Sequence, residues 1–297
     1  MSADHSRRDF LGVTAAACGA ATFFGLSAGH AGADPLTNAT KTSDPSGAPV
    51  APGFPRQELD AVREVVGASH ARFDRVKELV TARPALAKAA WDWGFGDWET
   101  AIGAASHTGQ RKIAELLIQH GARPNLFTFA MLGQVDVVRT IISANPGFER
   151  IHGPHDITLL QHARNRLSHD HLSNEERENA AKTVAYLESL PGADVTAPAE
   201  PVSDAQKQAY MGRYLFGTGA DDVLIVGVHR TGHLTIGRGK EFPHIISRVE
   251  PYAFAPRGAP DVRLRFGMKN DRAESITVHD PIPLLKAVRT SDAGKDG

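Results

Sequence analysis

Histidine is the residue type in this chain with the widest chemical scope. There are 14 histidines, and His152, His155, His162, His169 and His171 fall close together. Neutral imidazole is a common transition-metal ligand, and Asp156 or Asp170 could complete a coordination sphere. The spacing argues against such a site. His152 and His155 fall in a connection between helical units, and His169-Asp170-His171 falls in an insertion, so no local pattern brings them together. Solvated loop histidines and helix-face hydrogen bonds are the expectation, with no metal ligand and no cofactor assigned. Gly25-Leu26-Ser27-Ala28-Gly29 has the form of a G-x-S-x-G nucleophile elbow but lacks the strand and helix that would aim its serine. No S-x-x-K, H-E-x-x-H, paired C-x-x-C, P-loop or G-x-G-x-x-G occurs, since Gly237 and Gly239 lack the third glycine. The chain is therefore expected to be non-catalytic.

The N-terminus carries an address rather than a site. Ser6-Arg7-Arg8-Asp9-Phe10-Leu11 precedes a small-residue apolar stretch from Gly12 to Ala28 and then Ala31-Gly32-Ala33, the pattern of a twin-arginine signal peptide over residues 1–33 with cleavage after Ala33. The stretch is too short and too rich in Gly and Ala to anchor in a bilayer. Export by the twin-arginine translocation machinery to a periplasmic or secreted location is expected, with no stable membrane insertion. Cys18, the single cysteine, lies inside the signal, so the mature chain has neither disulfides nor thiol chemistry.

Composition is that of an ordinary soluble chain, with 23% charged and 41% hydrophobic residues and a net charge of -1. Nothing in it resembles the clustered Lys and Arg that neutralise phosphates, which excludes nucleic acid as the expected partner. Residues 34–56 are dense in Pro, Gly, Ser, Thr and Ala and read as a linker, as does 198–204, while 291–297 reads as a disordered tail.

Between the linkers, over 57–197, the period is helical. Thr100-Ala101-Ile102-Gly103-Ala104-Ala105, Gly109, Ile113 to Ile118 and Gly121-Ala122-Arg123-Pro124-Asn125 form the clearest unit. Weaker units begin at Ala130 and Thr158, with Ser173 to Glu176 as a capping box, and Leu59, Val62, Val66, Val76, Leu79 and Val80 form a helix pair upstream. The unit at Thr100 resembles the ankyrin repeat, although Ala101 and Gly103 stand where that family prefers Pro and His. The resemblance implies an array of about four repeats and protein recognition without chemistry.

After Asp204 the period becomes two. Val262, Leu264 and Phe266 alternate with Arg263 and Arg265, and Ile276 and Val278 alternate with Ser275 and Thr277. About seven short strands are expected over 205–290, as a small antiparallel sheet or partial barrel. Tyr210-Met211-Gly212-Arg213-Tyr214, Gly232-x-Leu234 and Arg289 resemble a small accessory β-domain found after serine β-lactamase-like domains, without the accompanying hydrolase domain.

Trp91, Trp93 and Trp98 flank Phe95 in the segment expected to be a hairpin finger between the first two repeats. These aromatics either meet a partner or fold back onto the helix pair or the β-domain. With His107 and Arg111 on the neighbouring helix face, they are the candidate partner-binding residues. The expected architecture is α + β in two domains, an ankyrin-type α-helical solenoid followed by a small antiparallel β-domain. The expected function is an exported, non-catalytic protein-binding scaffold with an unidentified protein partner. The alternative is an exported enzyme or small-ligand protein with a pocket in or beside the β-domain, which convergent polar groups in a deep pocket there would favour.

Overall fold

Residues 53–196 and 199–290 are described by the structure, a computed structural model. The signal with Arg7, Arg8 and Cys18, the cleavage position after Ala33, nearly all of the 34–56 linker and the 291–297 tail lie outside the described residues.

Helical periodicity is realised as α1 (Leu59–Ala68), α2 (Phe73–Ala82), α3 (Ala101–His107), α4 (Arg111–Gln119), α5 (Leu126–Met131), α6 (Val135–Ala144), α7 (Leu159–Leu167) and α8 (Asn174–Glu188). The starts are written in the sequence. Thr100, Asn125, Thr158 and Ser173 accept hydrogen bonds from backbone N–H groups three residues on, each contributing about 1 kcal/mol. Between α2 and α3 the chain makes a hairpin of β1 (Ala90–Asp92) and β2 (Trp98–Thr100), with Trp91 opposite Glu99.

All seven residues of α3 are buried, because its small side chains at 101 and 103–106 let α1, α5 and α7 all close on it. This corrects the expected ankyrin solenoid. In such an array each repeat touches only its sequence neighbours, whereas here α3 contacts α7 across the intervening pair. Asn165 Nδ2 donates to His107 O, His169 Nε2 to Thr108 O and Arg166 Nη1 to Gly109 O. Element lengths are also irregular, from six residues in α5 to 15 in α8. Local helix-turn-helix patterning resembles a repeat, but the long-range packing is that of a clustered helical layer. Gly109 makes the α3–α7 approach possible: it adopts φ +72°, and a Cβ there would stand 2.7 Å from His169 Nε2.

The second half corrects the partial barrel. β3 (Gly212–Leu215), β4 (Val223–Val228), β5 (Leu234–Arg238), β6 (His244–Glu250), β7 (Ala253–Pro256), β8 (Arg263–Lys269), β9 (Arg272–Asp280) and β10 (Ile282–Arg289) form a closed antiparallel barrel. β10 closes on β3 through Val288 opposite Leu215 and Arg289 opposite Tyr214. Alternation conceals β10, because its apolar Ile282, Leu284 and Val288 face outward. The interior is filled by Tyr214, Ile236, Phe254, Leu264, Phe266 and Ile276, as expected of an eight-stranded barrel. A ninth helix, α9 (Asp204–Tyr210), adds Tyr210 to this core, edge-on to Phe254 and Phe266. The segment before it lies on β6: Glu200 N donates to Arg248 O, and Arg248 Nη2 donates to Pro201 O.

With the barrel interior packed, a ligand cavity has to form elsewhere. The β1–β2 hairpin provides the place by meeting the barrel wall. His244 Nε2 donates to Trp93 O at 2.8 Å, Phe95 stands edge-on to His244 at 5.3 Å, and Trp93 lies 6.3 Å from Phe242.

Candidate metal centre

β2 alternates in burial, with Trp98 and Thr100 outward and Glu99 inward and fully buried. Three histidines from separate elements converge on this carboxylate. His70 follows the end of α1, His107 is the last residue of α3, and His155 lies in the 3-10 turn Pro154–Asp156. Their Nε2 atoms approach Glu99 at 3.4 Å from His70, 2.9 Å from His107 and 3.5 Å from His155. One ligand atom from each of the four residues lies within 4.8 Å of every other.

The outer contacts fix how the rings face. His70 Nδ1 is 3.1 Å from Gly67 O; a carbonyl only accepts, so Nδ1 carries the proton and Nε2 presents a lone pair inward. Asp97, itself buried, accepts from His155 N at 2.9 Å and from His155 Nδ1 at 2.6 Å, which turns His155 Nε2 toward Glu99. Trp93 Nε1 donates to Glu99 Oε2 at 2.8 Å. A carbonyl or carboxylate behind a ligating imidazole is the usual outer shell of a metal site. The barrel seals this shell: a Cβ on Gly258, between β7 and β8, would stand 2.5 Å from Asp97.

Inside this frame two atoms are left over. Glu99 Oε1 and His107 Nε2 are buried and have no hydrogen-bond partner among the described residues, although only 2.9 Å separates them. They are close enough to attract each other as an ion pair, but they fall outside hydrogen-bond geometry. A buried unsatisfied carboxylate oxygen is costly unless something compensates it. Burial opposes ionisation of Glu99, but the nearby His107 and His155 outweigh it and hold the carboxyl at about 2. Burial likewise works against a charged His155, but Asp97 and Glu99 raise it to about 10. Burial is the main cause that lowers His70. An anionic carboxylate and three imidazoles without thiolate are a donor set for a first-row divalent ion, which would have to displace the second ring proton that Asp97 and Glu99 hold on His155. Ligand atoms at ~2.0–2.2 Å from a tetrahedral ion stand ~3.4 Å apart, close to the present His70 and His155 distances from Glu99 and wider than the 2.9 Å of His107.

The cluster opens on a cavity of 470 Å3 lined by His70, His107, His155 and Asp97 on one side and by Phe242, Ile245 and Arg257 of the barrel half on the other. Three of the four candidate ligands thus face space that a small molecule can enter.

Of the residues singled out in the sequence, His107 belongs to the cluster and Trp93 to its wall. Trp91 packs on the helical core beneath the Arg63 guanidinium, and Phe95 packs on the barrel core. Trp98 alone among these aromatics is left exposed, at 64%. Arg111 pairs with Glu115 and Glu176 at 2.7 and 3.2 Å. Of the clustered histidines only His155 reaches the centre. His152 contacts Asp156 and Val195 O, His169 reaches Thr108 O, and His171 is exposed. His162 is buried beside the site, with Nδ1 donating to Thr158 O at 2.8 Å. His70, Asp97 and Glu99 went unnoticed in the sequence. The one available signal was an acid on the inward phase of a short strand among tryptophans. Among the described residues no helix is long and apolar enough to cross a membrane. No protein-family model matches the chain, and no curated protein sequence does.

Proposed function

We propose that this is an exported metal-dependent enzyme acting on a small molecule, with one divalent first-row ion held by Nε2 of His70, His107 and His155 and by the Glu99 carboxylate. The observation that carries this reading is the convergence of three imidazoles on one buried carboxylate, whose Oε1, like His107 Nε2, makes no hydrogen bond among the described residues. A purely structural ion is enclosed by its four ligands, whereas three of these line an open cavity, which favours exchangeable coordination positions. An ion so placed acidifies a bound water and polarises a substrate oxygen. Asp97 orients His155, Trp93 holds the second oxygen of Glu99, and the apolar wall restricts water.

Export fits the same reading. The ligands come from four separate elements and the wall from the barrel, so the site forms only in a folded chain, and the twin-arginine route carries folded cargo. The scaffold function keeps one supporting observation, the exposed Trp98, and would persist without metal.

The mature protein exposed to Zn2+, Fe2+ or Co2+ is expected to retain one ion per chain and to give a Co2+ absorption spectrum with nitrogen ligation. Metal at about 1,000 times Kd should stabilise it by about 4 kcal/mol, and Glu99→Gln and His107→Ala should abolish both effects. Substoichiometric metal in the wild type, or unchanged affinity in Glu99→Gln, overturns the proposal.

A further inference from the structure

The charge around the cavity points to the class of ligand. Asp97 is taken up by two hydrogen bonds from His155, and Glu99 lies among the imidazoles. A divalent ion would be balanced by these two carboxylates. Of the residues lining the cavity, Arg257 alone carries a permanent positive charge, and its guanidinium makes no hydrogen bond or ion pair among the described residues. It is exposed, and its backbone is anchored by Arg257 N donating to Ile245 O at 2.9 Å. It also lines an adjoining cavity of 700 Å3, which shares His155 and Ile157 with the first. Arg257 therefore stands where the two spaces meet, on a cavity whose wall includes Trp93, Phe242 and Ile245.

We infer that the ligand of this cavity is an amphiphilic monocarboxylate, with its apolar body against Trp93 and Phe242 and its carboxylate on Arg257. Guanidinium presents paired donors that match a carboxylate. A phosphate ester carries close to two negative charges, and Arg257 alone leaves one of them uncompensated, since of the other guanidinium groups on the adjoining cavity Arg164 is paired with Glu188 and Arg263 is held by the carbonyls of Pro260 and Val262. The inference rests on the metal-centre reading only for what happens at the far end of the ligand; the recognition itself does not need the ion.

The test uses 3-phenylpropionate, its neutral amide and phenyl phosphate as probes, with binding read by calorimetry and by tryptophan fluorescence in metal-loaded and metal-free protein. Wild type should bind the acid at least tenfold more tightly than the amide and than phenyl phosphate, in both forms. Arg257→Gln should remove the preference over the amide while leaving amide affinity unchanged, and Arg257→Lys should restore part of it. Equal affinity for acid and amide, tighter phenyl phosphate, no binding of any probe, or a preference that survives Arg257→Gln each overturns the inference. A protein that takes up no metal yet keeps the Arg257-dependent preference refutes the metal centre and not the ligand class. Metal binding without the preference does the reverse.

Discussion

Two polar networks lie at the heart of this molecule, one on the closing seam of the barrel and one between the helical layer and the barrel. On the seam, the Arg289 guanidinium donates to the carbonyls of Ala209, Met211 and Ala273 and to the Tyr214 hydroxyl, which in turn donates to Tyr210 O. Arg289 also lies over the Tyr214 ring, 4.8 Å from its centroid. The second network has more charge, yet Glu99 Oε1 and His107 Nε2 make no hydrogen bond in it among the described residues. A network that satisfies its polar groups holds strands together. One that gathers three imidazoles on a carboxylate and leaves buried polar atoms without a hydrogen bond has room in its bonding for a further group.

The seam is where breakage should cost most. Arg289→Met leaves three carbonyls and a hydroxyl without their charged donor, and should lower stability by about 3 kcal/mol or more, read from the urea midpoint, with metal content per folded chain unchanged. A matching loss of metal would mean that the networks are one unit.

His162, at the edge of the second network, yields a pH effect of nearly the same size. Burial lowers it to about 4, below the ordinary value near 6.5. Between these values the unfolded chain takes up a proton that the folded chain refuses, so the contribution is present above pH ~6.5 and lost as pH falls to ~4. It amounts to about 3 kcal/mol. Urea midpoints of wild type and His162→Asn between pH 7 and pH 4 should converge as the pH falls. Parallel curves would show that His162 is not held neutral by burial.

Asp97 gives the smallest change and sharpens the contrast most. Asp97→Asn keeps the shape but weakens the partner of His155, and metal affinity should fall about 10- to 100-fold, with the Co2+ spectrum shifted rather than lost. No change in affinity would reduce Asp97 to a seam-like role in folding.

Legibility differs along the same line. The seam residues were prominent in the sequence, since Tyr210-Met211-Gly212-Arg213-Tyr214 and Arg289 stood out together and meet in space. The residues of the candidate centre were not, because the visible histidine cluster at 152–171 contributes only His155. The tryptophan segment was conspicuous, but as a possible contact surface. Trp93 instead reaches inward to Glu99, and Trp98 alone remains outside.

By itself the sequence determined what depends on near neighbours. Thr100, Thr158 and Ser173 start helices through side-chain caps a few residues long, and alternation from Val262 to Val278 makes strands. Tertiary structure alone decided that the barrel closes, because β10 shows its apolar residues to the outside and its partner β3 lies at the other end of the domain. It alone decided that α3 is a hub rather than one step of an array, and that His70, Glu99, His107 and His155 share a focus. Their convergence depends on how closely helices pack around the small residues of α3 and on the barrel loop at Gly258 pressing on Asp97. Those are distances between segments far apart in the chain, and no residue spacing encodes them.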